Sequence, residues 1–188
     1  MNTKTRTIRK KLLREAEGYL DLAMAMDDRW PLEVDFRKTL AGRAIETLDR
    51  IDRSRAEPSA AWYLRGQAHR IAERYIEAIE CLRKSLELNS DNIGAYLAIG
   101  WCFKRVGKVG MAIEALEGAL EIGSEVAMVH YNLACYWALV NKADSAAYHL
   151  SLAIDLNPDY RELVALETDF DRVRNDPEFQ AIVRPLAI

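Results

Sequence analysis

Residues 93–126 read IGAYLAIGWCFKRVGKVGMAIEALEGALEIGSEV, and they carry the clearest helical pattern of the chain. Its first part carries the i, i+3, i+4, i+7 spacing of one helical face, at Tyr96, Ile99, Gly100 and Phe103. Its second part repeats that kind of spacing at Ala112, Leu116, Ala119 and Leu120. Between the two parts lies Gly107, and glycine tolerates the left-handed backbone that ends many helices. The stretch therefore predicts two helices joined by a short turn.

The same pattern occurs on both sides of this stretch at an offset of 34 residues, because 59–92, 93–126 and 127–160 align without gaps. Small residues recur in two columns of that alignment, Gly66/Gly100/Ala134 and Ala78/Ala112/Ala146. Large apolar residues recur in two others, Leu82/Leu116/Leu150 and Leu86/Leu120/Ile154. Self-similarity at a fixed period indicates stacked units that bury their apolar faces against one another. The sequence thus predicts three helix-turn-helix repeats.

These three segments resemble the tetratricopeptide repeat. The resemblance is carried by Trp62-x2-Arg65-Gly66-x2-His69, Tyr96-x2-Ile99-Gly100-x2-Phe103 and His130-x2-Leu133-Ala134-x2-Trp137, each followed by its alanine and leucine columns, and by Pro158 in the third. Two features depart from the family pattern. Arg65 stands where an apolar residue is expected, and Ser90 and Ser124 replace the usual proline. The resemblance implies an α-solenoid that binds another polypeptide.

The chain before the repeats continues the helical pattern. Apolar residues form one stripe over 5–28, which predicts a long amphipathic helix, and a second helix is expected over about 32–54. Ala44 and Leu48 lie one repeat length before the corresponding residues of the first repeat. We therefore expect residues 1–58 to form an N-terminal helical hairpin that is a degenerate repeat.

The chain after the repeats is expected to close the stack. Residues 161–188 predict short helices, one of which begins at Asp176-Pro177. A solenoid needs such a segment because the last repeat otherwise exposes its apolar face to water. The predicted fold is all-α: an α-solenoid of helix-turn-helix repeats over 59–160, with an N-terminal helical hairpin and C-terminal capping helices.

Composition excludes several functional classes. Half of the 188 residues are apolar and 29% are charged, which is typical of an ordered, soluble protein. No apolar run has the length of a membrane span, and no secretory leader is recognisable. Three dispersed cysteines do not form a disulfide framework and favour a reducing compartment. We expect a cytoplasmic protein with no membrane partner.

The first 14 residues carry six basic side chains and no acidic one. Such a run could contact RNA, DNA or anionic lipid, or it could simply be solvated. The net charge of −3 gives no support to a polyanionic partner. No aromatic residues alternate with the basic ones, as they do in many proteins that bind single-stranded nucleic acid. The solvated interpretation is therefore preferred, and a nucleic acid partner is disfavoured.

Reactive motifs are missing from the sequence. It contains no phosphate-binding loop, no Cys-x2-Cys pair, no His-Glu-x2-His motif and no nucleophile elbow. His69 and His130 fall in columns that are otherwise aromatic, which predicts a packing role. His149 shares a column with Cys81 two repeats away, too far for one metal ion to bind both. We expect no enzymatic activity, no catalytic residue, no cofactor and no metal.

The predicted binding surface is the face of the first helices that the core columns leave free. It comprises Tyr63, Gln67, Arg70, Leu97, Trp101, Lys104, Arg105, Tyr131 and Cys135. Aromatic residues and arginine are enriched at binding hot spots. One interpretation is a peptide-binding groove for a partner with apolar anchors and some acidic residues. The alternative is that the N- or C-terminal helix of the chain itself fills this groove.

Two functions follow from these observations. The first is a protein–protein interaction adaptor or holding chaperone that binds a partner segment in the concave groove. The alternative is a structural scaffold that self-assembles through the N-terminal helix or the open end of the solenoid. Self-association therefore remains open at this point.

Overall fold

The structure is a computed structural model, and it describes residues 3–24, 34–51 and 58–183. Within these ranges the secondary structure is entirely helical. The helices are α1 (Thr3–Met24), α2 (Val34–Asp49), α3 (Ser59–Ile71), α4 (Tyr75–Leu88), α5 (Ile93–Arg105), α6 (Val109–Leu120), α7 (Ala127–Leu139), α8 (Ala143–Leu156), α9 (Tyr160–Leu163) and α10 (Pro177–Val183), with a 3-10 turn at Thr168–Phe170. The predicted helix ends at 25–28, 32–33 and 52–54 lie outside the described residues. In the described part of the chain, no helix combines the length and the apolar character that crossing a membrane requires.

The chain divides into two compact units, Met1–Cys102 and Phe103–Ile188, here called unit 1 and unit 2. In unit 1, α1 packs against α2 and α3, and α3 packs against α4. The core between α1, α2 and α3 consists of small and branched apolar side chains, including Leu12, Ala16, Leu20, Ala41, Ala44, Leu48, Ala61, Leu64 and Ala68. The small side chains allow the helices to approach closely while leucines fill the remaining space.

Gly66 shows how tightly α3 and α4 pack. A Cβ atom at this position would lie 2.5 Å from Cγ of Leu82, a side chain that is fully buried. No methyl group fits there unless α4 or the leucine moves. This accounts for the small-residue column that contains Gly66.

Arg65, which departs from the family pattern, is buried in unit 1. Its side chain is only 8% exposed, and its Nη1 donates a hydrogen bond of 2.7 Å to Oδ1 of Asp49 at the end of α2. A buried guanidinium is tolerated when a carboxylate accepts its hydrogen bonds. Arg65 therefore joins α3 to the preceding helix through an ion pair in place of an apolar contact.

The turns within the three helix pairs share one geometry. Glu73, Gly107 and Asn141 have left-handed backbone, with φ of 61°, 76° and 59°. In each turn the next residue donates its N–H to the carbonyl five residues earlier, as in Lys108 N to Phe103 O at 2.9 Å. This is the Schellman motif that ends many helices. The prediction is confirmed for Gly107, and Asn141 and Glu73 adopt the same geometry without being glycine.

This turn gives a test with a matched control, because Gly107 and Gly110 both have open space where a Cβ would stand. Gly107→Ala should destabilise the protein by about 1–2 kcal/mol, since alanine is strained at positive φ. Gly110→Ala, inside α6, should instead stabilise it by about 0.5–1 kcal/mol, since glycine is a poor helix former. Denaturant unfolding of the two variants measures both changes. If both substitutions change the free energy of unfolding by the same amount and in the same direction, the turn assignment is wrong.

In unit 2, α7 packs against α6 and α8, and the chain after α8 folds back onto this pair. The 3-10 turn contacts α7, and α9 and α10 contact α8. We call residues 157–183 the closing segment. Its Phe170 and Phe179 are fully buried. Arg174 Nη2 donates to Glu167 O at 2.9 Å, and Arg161 Nη1 donates to Ile182 O at 2.8 Å. These bonds satisfy one carbonyl in the irregular backbone before the 3-10 turn and one in the last turn of α10, where a helix leaves its carbonyls without partners.

Candidate functional site

The nine residues of the predicted groove are divided between the two units. Unit 1 contains Tyr63, Gln67 and Arg70 on α3, and Leu97 and Trp101 on α5. We call these five residues the α3/α5 face. Lys104, Arg105, Tyr131 and Cys135 belong to unit 2.

On the α3/α5 face, the Trp101 side chain is fixed by contacts with Arg70 and Tyr75. The guanidinium carbon of Arg70 lies 5.2 Å from the centroid of the Trp101 ring, within the range of a cation–π contact. The Tyr75 ring meets the indole edge-on, with centroids 5.5 Å apart and planes at 75°. Trp101 keeps a part of its surface exposed in spite of these contacts. The indole is therefore positioned before any partner arrives.

Arg70 is itself fixed by its neighbours. Its Nε donates a hydrogen bond of 2.7 Å to Oε1 of Gln67, and its Nη2 lies 3.6 Å from Sδ of Met24. Burial lowers the pKa of Arg70 from its usual value, but arginine remains protonated at any physiological pH. Gln67 is 8% exposed, so it acts here as a support for Arg70.

The opposite end of the face is set by a contact between Tyr63 and Gly94. A Cβ atom at position 94 would lie 3.0 Å from the Tyr63 hydroxyl oxygen, so glycine lets α5 approach α3 closely. Tyr63 and Leu97 are both half-buried. Together with Trp101 they form a row of apolar surface along two neighbouring helices.

The groove residues of unit 2 are covered by the closing segment of the chain. Tyr131 is 8% exposed, and its ring stacks on that of Tyr160 with centroids 4.6 Å apart. Phe170 meets the same ring edge-on at 5.8 Å. Burial raises the pKa of Tyr131, so the phenol stays protonated. Lys104 forms an ion pair with Asp169, whereas Arg105 is exposed. In unit 2 the C-terminal part of the chain itself therefore covers residues of the predicted groove, as in the alternative interpretation of the sequence.

Cys135 lies in a polar cluster that the sequence did not indicate. Its Sγ and one carboxylate oxygen each from Glu167 and Asp169 lie within 4.8 Å of one another. Burial raises the pKa of the Cys135 thiol, which opposes the thiolate form that binds metals. The ammonium of Lys104 already supplies a positive charge to Asp169. The cluster is therefore a buried ion pair beside a protonated thiol.

Comparison with known proteins identifies the repeats. Family models of the tetratricopeptide repeat match residues 59–92 and 93–122, which contain α3–α4 and α5–α6. No curated protein sequence matches the chain. Among solved structures, MamA is similar at a TM-score of 0.64 and 21% identity, over 85% of this chain and 76% of that chain. YrrB, a TPR protein with an unusual peptide-binding site, is similar at a TM-score of 0.57 and 21% identity.

The match to YrrB covers 71% of this chain and 65% of that chain, less than two thirds of its length. At these identities the solved structures show the fold alone, which is the α-solenoid of helix-turn-helix repeats. Such repeats are generally non-enzymatic modules, and their presence supports a role in protein–protein interaction. The sequence period, the helix pairs and the two family matches agree, and the chain contains tetratricopeptide repeats over residues 59–122.

Proposed function

We propose that this protein is a non-enzymatic adaptor or holding chaperone that binds an extended or helical segment of another protein on the α3/α5 face. The observation that carries the proposal is Trp101, held between Arg70 and Tyr75 with part of its surface exposed. Hot spots of protein interfaces are enriched in tryptophan, tyrosine and arginine. A side chain that is already fixed loses little conformational entropy when a partner binds.

The proposed partner segment carries apolar anchors and an acidic residue. Tyr63, Leu97 and Trp101 offer apolar surface, which suits leucine or aromatic side chains. A carboxylate next to such an anchor would accept a charge-assisted hydrogen bond from the Arg70 guanidinium. Lys104 is a weaker candidate for this role, because Asp169 of the same chain already pairs with it.

The division of the chain into regions is part of this proposal. Residues 127–160 would form a third repeat, because the α7–α8 turn has the same left-handed geometry at Asn141 as the turns of the two matched repeats. Residues 161–188 would close that repeat, and residues 1–58 would precede the first as a hairpin. Because the closing segment covers Tyr131 within unit 2, we place the proposed binding site on the α3/α5 face alone.

Self-assembly is the second candidate function. Ile8 and Leu22 are 52% and 46% exposed on α1, and Phe36 at the start of α2 is 47% exposed. These side chains would be covered if two copies associated through their N-terminal helices. Light scattering distinguishes the two functions, because a mass that stays monomeric at all concentrations excludes self-assembly.

A peptide selection tests the adaptor function. Peptides of about twelve residues, selected from a random display library on the full chain, should carry a large apolar residue near an acidic one. The Leu97→Ala variant should bind a selected peptide at least about tenfold more weakly, which is about 1.4 kcal/mol. Leu88→Ala is the matched control, because Leu88 is 55% exposed on α4 of the same unit. Selected peptides that bind both variants like the wild type would contradict the proposal.

A further inference from the structure

His130 on α7 and His149 on α8 form a pair that neither the repeat pattern nor the proposed function requires. Their Nδ1 atoms are 3.0 Å apart, and the ring centroids are 5.3 Å apart with the planes at 27°, so the rings face each other edge to edge. Nε2 of His130 lies 2.9 Å from the carbonyl oxygen of Ser124. His130 is 5% exposed, whereas His149 is half-buried.

These contacts fix the positions of the protons. A carbonyl oxygen only accepts hydrogen bonds, so Nε2 of His130 must carry the hydrogen that it donates to Ser124 O. In the neutral ring, Nδ1 of His130 then has a lone pair and accepts. Nδ1 of His149 must therefore carry the hydrogen that it donates to His130, and Nε2 of His149 is unprotonated. The two neutral rings are thus different tautomers.

We propose that His130 and His149 are a proton-sharing latch between α7 and α8, which keeps its hydrogen bond on binding one proton and opens on binding a second. The first proton leaves both Nε2 atoms protonated and one hydrogen between the two Nδ1 atoms. The bond therefore survives and becomes charge-assisted. A second proton places two N–H groups and two positive charges against each other at this distance. The rings must then separate.

The surroundings of the pair also oppose the binding of a second proton. Helices α7, α9 and α10 pack on α8. Among the described residues of these three helices, His130 is the one whose charge shifts the pKa of His149. On α8 itself, the Tyr148 ring stands edge-on to His149 with centroids 5.1 Å apart. Burial, followed by the positive charge of His130, lowers the pKa of His149 to about 4.

The sign of the pH dependence follows from this lowered pKa. The unfolded chain binds a proton at His149 near the usual pKa of 6.5, before the folded chain does. As far as the second proton is concerned, the stabilisation that the latch provides is therefore complete above pH 6.5. It is lost as the pH falls from there towards about 4.

Nitrogen-15 NMR of the histidine rings in the full, unmodified chain tests the latch. Only three histidines contribute signals. His69, whose ring does not belong to the pair, should titrate in a single step, below the usual pKa because burial lowers its pKa. At neutral pH we expect His130 protonated on Nε2 and His149 protonated on Nδ1. On acidification the pair should titrate in two steps separated by more than about one pH unit, as coupled groups do.

The second step should coincide with large amide shift changes in α7 and α8. His149→Gln should leave His130 with one step. Two outcomes would overturn the proposal: independent titration of both rings at the usual pKa, or a neutral His130 that carries its proton on Nδ1.

Discussion

Replacing Phe170 with alanine should lower the free energy of unfolding by about 3–5 kcal/mol, the usual cost of removing a buried phenylalanine ring. Phe170 is fully buried in the closing segment, where its ring contacts Tyr131 at 5.8 Å and Phe179 at 5.1 Å between centroids. The substitution leaves a cavity beside both rings. It also weakens the cover over the groove residues of unit 2.

Leu166→Ala is the matched control for this prediction. Leu166 lies in the same segment but is 83% exposed, so its removal should change the stability by less than about 0.5 kcal/mol. Denaturant unfolding followed by near-UV circular dichroism compares the variants. If Phe170→Ala unfolds at the same denaturant concentration as Leu166→Ala, the closing segment does not stabilise unit 2.

The repeated part of the fold could be predicted from the sequence because a 34-residue period aligns several columns at once. Agreement between columns fixes the phase of the helices and places the turns at Glu73, Gly107 and Asn141. The period does not set helix ends to a single residue. At the start of α5, Ala95 N donates to Asn92 Oδ1 at 3.1 Å, and the period alone does not indicate that Asn92 caps this helix.

The cover over Tyr131 and the pairing of the histidines could not be predicted in this way. Lys104 and Asp169 are 65 positions apart, and Asp169 lies in an irregular segment without periodicity. Alignment columns show which residues face the core, but they do not show which side chains meet there. The alignment correctly placed His130 in a column of packed residues, but its contact with His149 is seen only in the structure. The α3/α5 face as a binding site stays a prediction.

The second large effect is expected for binding. Trp101→Ala should weaken binding of a display-selected peptide by about 2–4 kcal/mol, as removal of a central hot-spot aromatic does. The variant removes the largest side chain of the α3/α5 face and the ring with which Arg70 makes its cation–π contact. Trp62→Ala is the control. Its indole, which Lys84 Nζ approaches to 4.5 Å from the ring centroid, lies outside that face. Its loss should leave the affinity nearly unchanged.

The most direct test of a binding role for the α3/α5 face is to measure affinity and stability on the same Trp101→Ala protein. Isothermal titration with the selected peptide and thermal unfolding without it should be run beside the wild type and Trp62→Ala. We expect Trp101→Ala to lose affinity while its helicity and melting temperature stay close to those of the wild type. A large fall in melting temperature with unchanged peptide affinity would show that Trp101 is a structural residue, and it would contradict the proposed function.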